Sequence, residues 1–112
     1  MRKKIAIAIH GGAGTILRNS CTKEQEKLYK EKMRESIDAG YSVLKNGGNS
    51  VDAVEAALII MENSPLFNAG KGSVYTHEGT HEMDAAIMNG RNLETGAVAG
   101  ISKIKNPISL AK

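Results

Sequence analysis

The chain has 112 residues, of which 41% are hydrophobic and 24% charged, with a net charge of +3. That is one small domain of ordinary globular composition, which argues against a disordered tail or a membrane-spanning protein. The basic excess sits near the ends (Arg2, Lys3, Lys4, Lys103, Lys105, Lys112), while lysines over 23–45 alternate with glutamates, so no basic patch with interleaved aromatics points to nucleic acid.

The chain opens with "KKIAIAIHGGAGT". A short Ile/Ala run stopping at a glycine-rich turn predicts a buried strand feeding a tight loop. The run is too short for a signal-peptide core, and Cys21 is the only cysteine, which fits a reducing, cytoplasmic setting. Cys21 reads as a structural residue ahead of a helix. Thr22-x-x-Gln25 is a capping box, and Leu28, Met33, Ile37, Gly40, Val43 and Leu44 recur at roughly helical spacing until Gly47-Gly48 stops them. Ser50 is placed to cap a second helix, whose apolar face is Val51, Val54, Leu58 and Met61, with Ala53, Ala56 and Ala57 keeping it slim.

"NSPLFNAGKGS" then reads as an ordered loop, since Leu66 and Phe67 need burial. Three strand-like pieces follow, Ser73–Thr76, Met83–Met88 and Ala97–Ile104, separated by Gly79, Gly90 and Gly96. Strand, two helices and then strands give an α/β or α+β class. At the end Asn106 is a good N-cap and Pro107 suits the first helical position, so "ISLAK" reads as a first helical turn. One such turn is not stable alone, and the expectation is that the 112 residues are a fragment of a longer protein.

Three motifs bear on chemistry. His77-Glu78-Gly79-Thr80-His81 spells H-E-x-x-H, but that zinc motif works only on a helix. Here the flanks are β-like, Gly79 interrupts, and no third histidine follows His81. The reading is a coincidence in a turn. His10-Gly11-Gly12 sits where backbone N–H groups can face an anion. It lacks G-x-G-x-x-G, with Leu17 in place of the last glycine, and G-K-[ST]. An esterase oxyanion loop is one alternative, although no G-x-S-x-G occurs in these residues. A small self-sufficient anion-binding module is another, and a tight turn with His10 as a satisfied polar residue is the plainest. Asn68, between apolar residues and glycines, suits a side-chain amide held in place, or equally a turn asparagine.

Taken together, "IAIHGGAGTI", "SPLFNAGKGSVYTHEGTHEMDAAIM" and "GAVAGISKIKNPISLAK" resemble the plant-type L-asparaginase/isoaspartyl peptidase family of N-terminal-nucleophile hydrolases. The resemblance covers essentially the whole chain. It implies part of an αββα sandwich, with 1–112 as a single incomplete domain, the N-terminal part of an α subunit. It implies a precursor that cleaves itself before a threonine, giving α and β chains that pair as (αβ)2, with L-asparagine and β-aspartyl dipeptides as substrates. That family's Gly-Thr-Val-Gly nucleophile segment is not among these residues, so no catalytic nucleophile is expected in them, and they are expected to be inactive alone. By position, His10, Gly11 and Gly12 match the loop beside the nucleophile, and Asn68 the asparagine that reaches it. No catalytic cofactor is implied. The 61–71 loop matches one that binds a structural sodium through main-chain oxygens of Met61, Glu62, Ser64, Phe67, Ala69 and Lys71. Asp84 is expected to be a buried, hydrogen-bonded structural carboxylate. No nucleic-acid or membrane partner is implied.

Overall fold

A computed structural model of the chain describes residues 4–14 and 19–112. It contains α1 (Lys23–Lys45), α2 (Ser50–Glu62), a 3-10 turn (Gly70–Gly72), strands β1 (Met83–Met88) and β2 (Thr95–Ile101), and a short α3 (Pro107–Ala111). The architecture is mixed α+β, as expected.

Helix α1 begins at the expected capping box: Gln25 N–H donates to Thr22 Oγ1 at 3.1 Å, and Thr22 N–H donates to Gln25 Oε1 at 2.9 Å. Its partner is α2, and the two helices meet where side chains are smallest. A Cβ on Gly40 would lie 2.8 Å from the Ala53 carbonyl oxygen and 3.2 Å from Ala57 Cβ. Beside it the buried Ser36 hydroxyl donates to the Ala57 carbonyl at 2.8 Å. The packed line of α1 therefore runs Met33, Ser36 and Gly40. Leu28, expected on that face, is 52% exposed, because five residues before Met33 lies well round the helix. On α2 the buried line is Ala53, Ala57 and Met61, whereas Val54 faces outward at 37% exposure. Asn49, not Ser50, caps α2, its Oδ1 accepting from Asp52 N–H at 2.8 Å.

The opening Ile/Ala run forms no strand. Residues 4–9 pair with no other described segment, and a strand needs a ladder partner for its N–H and C=O groups. A period of two persists: Ile5, Ile7 and Ile9 are half-buried rather than buried, while Ala6 and Ala8 face out. Ile7 leans on Gly40, and Ile9 lines a groove with Tyr29, Met33 and Ile37.

β1 and β2 form an antiparallel pair, Ala85 opposite Val98 and Met88 opposite Thr95, with a bulge between Met83 and Ala85. β1 falls where expected. β2 starts two residues before the expected strand and stops at Ile101. Just inside that end Gly100 has φ +61 and gives its N–H to Asp84 Oδ1 at 2.8 Å rather than to a ladder. Asp84 is thus hydrogen-bonded as expected but exposed, since the half-buried face of the pair carries Met83, Ala85, Ile87, Gly96, Val98 and Ile101 and Asp84 is on the other. The expected strand Ser73–Thr76 reduces to a single bridge, Tyr75 to His81.

α3 packs on the half-buried sheet face. Gly96 is required there, because a Cβ would stand 1.8 Å from the Ala111 carbonyl oxygen. Asn106 and Pro107 occupy the expected cap and first positions, yet the Asn106 side chain makes no cap bond. It donates instead to Glu62 Oε2 and Asn63 Oδ1, both at 3.1 Å.

Candidate functional site

The glycine turn and the Asn68 loop face each other across one groove. Gly12 has φ +113, a conformation that glycine adopts without strain. Its N–H donates to His10 Nδ1 at 3.3 Å, so Nδ1 acts as the acceptor of the ring. At Gly11 a Cβ would sit 3.0 Å from Met33 Sδ and 3.4 Å from the Phe67 ring. The glycine lets the backbone lie close against Met33 of α1 and against Phe67. Phe67 is 5% exposed and meets Tyr29 edge to face, ring centres 6.0 Å apart. That pair clamps the loop carrying Asn68 against α1.

The groove so formed is about 490 Å³, with Gly11, Gly12, Met33, Phe67 and Asn68 among its walls. Asn68 Oδ1 accepts the Val74 N–H at 3.0 Å. Its orientation is fixed from the far side of the loop, and among the described residues its Nδ2 has no partner. The result is an anchored amide with an unused donor, on the wall of a groove lined by the glycine turn and by apolar side chains. His10 meets the groove only through Gly12. Cys21 lines it too, as do Tyr29 and Met33, and no motif marks any of the three for that place.

Residues 61–71 coil tightly. Gly70 has φ +52, and a Cβ there would lie 2.4 Å from the Glu62 carbonyl oxygen. A Cβ on Gly72 would lie 2.1 Å from the Phe67 oxygen and 2.7 Å from the Pro65 oxygen. One main-chain oxygen therefore presses on Gly70 and two on Gly72. Several already accept a backbone bond: Met61 from Ser64, Phe67 from Ala69 and Ala69 from Gly72.

The side chain of Glu62 was missed by sequence reasoning. It is 5% exposed, and Oε1 accepts the buried Ile108 N–H at 2.9 Å while Oε2 accepts from Asn106. Burial pushes its carboxyl above the ordinary value, and the Ile108 and Asn106 bonds oppose that rise. The available signal was a glutamate closing an apolar helix, a place where a charge needs a partner.

The H-E-x-x-H residues occupy a turn. Thr76 N–H donates to the Thr80 carbonyl at 2.7 Å, and Gly79 has φ +78. His81 stacks on Tyr75 with ring centres 4.2 Å apart, and its Nδ1 is 3.2 Å from Ser73 Oγ. Among the described residues no three His, Cys, Asp or Glu side chains are grouped to hold a metal ion, and no helix is long and apolar enough to cross a membrane.

A helix pair, an antiparallel strand pair and a glycine turn facing a fixed amide suit an α+β piece of an N-terminal-nucleophile hydrolase. The particular family follows from comparison with known proteins: residues 3–112 match the asparaginase family, and the chain belongs to it. It is 52% identical over 110 residues to a plant-type L-asparaginase of Pyrococcus abyssi, covering 96% of this chain and 34% of that protein. It is 46% identical over 109 residues to an isoaspartyl peptidase of Salmonella typhimurium, covering 97% and 35%. It is 45% identical over 109 residues to an isoaspartyl peptidase/L-asparaginase of Xenopus laevis, covering 97% and 34%. The chain therefore spans about a third of the length of these relatives, in a family of enzymes.

Proposed function

We propose that this chain is part of a threonine-dependent amidohydrolase that acts on L-asparagine and β-aspartyl dipeptides. The observation that carries the reading is the groove lined together by Gly11, Gly12 and Asn68, in a chain of the asparaginase family. No Gly-Thr-Val-Gly occurs in the 112 residues. The nucleophile is accordingly assigned to the part of the relatives' length that this chain does not span, with a self-cleaving precursor releasing the threonine as a new N-terminus, a β chain as partner and an (αβ)2 assembly. A single cysteine suits work in the cytoplasm.

In this mechanism the threonine hydroxyl adds to the side-chain amide carbonyl while its own α-amine takes the proton. Donors around the new oxyanion stabilise the tetrahedral intermediate. The amine leaves with that proton, as ammonia from asparagine or as the peptide amine from a β-aspartyl bond, and water then cleaves the acyl ester to release aspartate. In this reading Asn68 Nδ2 donates to the threonine Oγ and aims it, and the His10–Gly12 turn shapes the wall on which the nucleophile rests.

The same reading gives the 61–71 loop a structural sodium, held by main-chain oxygens of Met61, Glu62, Ser64, Phe67, Ala69 and Lys71. What supports the fit is that two of these oxygens, those of Glu62 and Phe67, lie close against Gly70 and Gly72, in a loop whose main-chain carbonyls are hard donors suited to such a cation. Oxygens already bonded to one N–H keep a second lone pair. When bound, the ion would neutralise converging carbonyl dipoles and stiffen the loop that carries Asn68.

The test uses the intact protein: precursor cleavage by gel, ammonia release from L-asparagine, and aspartate release from a β-aspartyl dipeptide. Asn68→Asp keeps the Oδ1 acceptor and removes the Nδ2 donor, and is expected to slow cleavage or turnover by at least tenfold, in line with loss of one positioning donor. Normal cleavage and rates in this variant would remove Asn68 from the site. Failure of the unaltered protein on both substrates would overturn the function itself.

A further inference from the structure

A second groove shares no lining residue with the first, and its chemistry differs. It is about 600 Å³, lined by Lys71 from the 3-10 turn, Ser73, Thr80 and His81 around the Tyr75–His81 bridge, and Ser102, Lys103 and Lys105 beyond β2. Three lysines, two serines, a threonine and a histidine thus come from three separate segments of chain. No carboxylate lines it. The lysines of α1 give the contrast: Lys27, Lys30 and Lys32 each pair with a glutamate on their own helix. Among the described residues Lys71, Lys103 and Lys105 form no ion pair. Glu62 lines the adjoining cavity with Lys71 and Lys105, but its oxygens are taken by Ile108 N–H and the Asn106 amide. Three lysines against that one committed carboxylate leave a local positive excess that favours an anion in the groove.

The kind of anion follows from the donors. No arginine lines the groove, so the planar, two-pronged recognition that suits a carboxylate is missing. Lysine acts as a point charge, and several of them with hydroxyl donors suit the spread oxygens of a phosphate. His81 is steadied for such a role, with Ser73 Oγ at Nδ1 and Tyr75 against the ring, which leaves Nε2 as the uncommitted ring nitrogen. The groove is larger than one phosphate, and Met83 and Ile104 give it apolar wall. We propose that this groove binds a phosphate monoester of a small organic molecule, its phosphate held by Lys71, Lys103 and Lys105 and its body against Met83 and Ile104. The site shares no lining residue with the groove of Asn68, and it uses the side chain of Lys71, whereas the sodium assigned above would use that residue's main-chain oxygen.

The test is calorimetric titration of the intact protein, in a phosphate-free buffer of low ionic strength, with phenyl phosphate and with inorganic phosphate. The variant is Lys103→Met with Lys105→Met, which removes two charges and keeps apolar stems. The control is Lys23→Met with Lys45→Met, which changes net charge equally but away from the groove. The expected result is saturable binding of phenyl phosphate, tighter than inorganic phosphate, weakened roughly tenfold or more in the variant, unchanged in the control and reduced by added salt. Equal binding of both probes, lost in the variant, would keep the site and make the free ion its ligand. No saturable binding by the intact protein, equal weakening in the control, or undiminished binding in the variant would each overturn the proposal.

Discussion

The carboxylate of Glu62, the last residue of α2, accepts the backbone N–H of Ile108 at 2.9 Å across 46 positions of sequence. Asn106, whose own side chain would ordinarily cap α3, gives its amide to the same carboxylate, so one glutamate both caps α3 and ties it to α2. Glu62→Ala leaves the buried Ile108 N–H without an acceptor, and a stranded buried donor costs about 1–3 kcal/mol. Urea unfolding of the intact protein should show that loss, with Glu62→Gln intermediate because its carbonyl still accepts one bond. Equal stability of all three forms would mean that α3 is held by its packing against the sheet alone.

Gly40 marks the closest approach of α1 to α2. A Cβ there would lie 2.5 Å from Ile7 Cδ1 and 2.8 Å from the Ala53 carbonyl oxygen. Ile7 can swing away, but the Ala53 oxygen belongs to a helix backbone and cannot. Gly40→Ala should therefore destabilise by about 1–3 kcal/mol despite alanine's better helix propensity, because overpacking outweighs a propensity gain of about 1 kcal/mol. Thermal unfolding reads the sign directly: a raised midpoint would show that the helices part freely.

These two contacts also explain what the sequence could and could not disclose. Features closed within a few residues were legible: the Thr22–Gln25 box, the run Met83–Met88 between turn residues, and Pro107 opening α3. Helix faces were legible only in part. The apolar period placed Leu28 inward, but the packing line was chosen by small size at Ser36, Gly40, Ala53 and Ala57, which hydrophobicity does not rank. Strand pairing is non-local, so Ile5–Ile9 and Ser73–Thr76 had strand composition without a ladder. Asp84 shows the same limit, because nothing local tells which sheet face α3 will cover. In the site, His10–Gly12 and Asn68 were named through family resemblance, but their meeting in one groove depends on Phe67 and Tyr29, which carry no motif.

The capping box offers a local test. Thr22→Ala removes the acceptor for Gln25 N–H and with it half of the reciprocal pair. The expected loss is about 1 kcal/mol. Hydrogen exchange should speed up in the first turn of α1 and stay unchanged near Ser36 and Gly40, where packing against α2 protects the helix. Uniform acceleration along α1 would instead make the cap a determinant of the whole helix.

Lys112 bonds both Asp52 and Glu55 on α2, and Ser109 donates to Glu55 at 2.8 Å. The Lys112 hydrogen bonds hold both carboxyls below their ordinary values of 3.8 and 4.5, and the two carboxylates raise Lys112 above 10.5. Carboxyls with lowered folded values stabilise fully above their ordinary values, and that contribution fades as pH falls through the lowered ones. The raised lysine acts in the opposite sense, contributing fully below 10.5 and losing its share as pH rises through the folded value. The cluster thus favours docking of α3 on α2 across the neutral range and weakens at both extremes. Because the groups are exposed, the effect is small and screened by salt. Unfolding of the unaltered protein and of Lys112→Met, compared across pH, isolates the cluster, since the remaining groups titrate alike in both. The stability difference should be greatest near neutrality, shrink below the ordinary carboxylate range and shrink again above pH 10.5. A difference independent of pH would assign the lysine's contribution to its aliphatic stem rather than its charge.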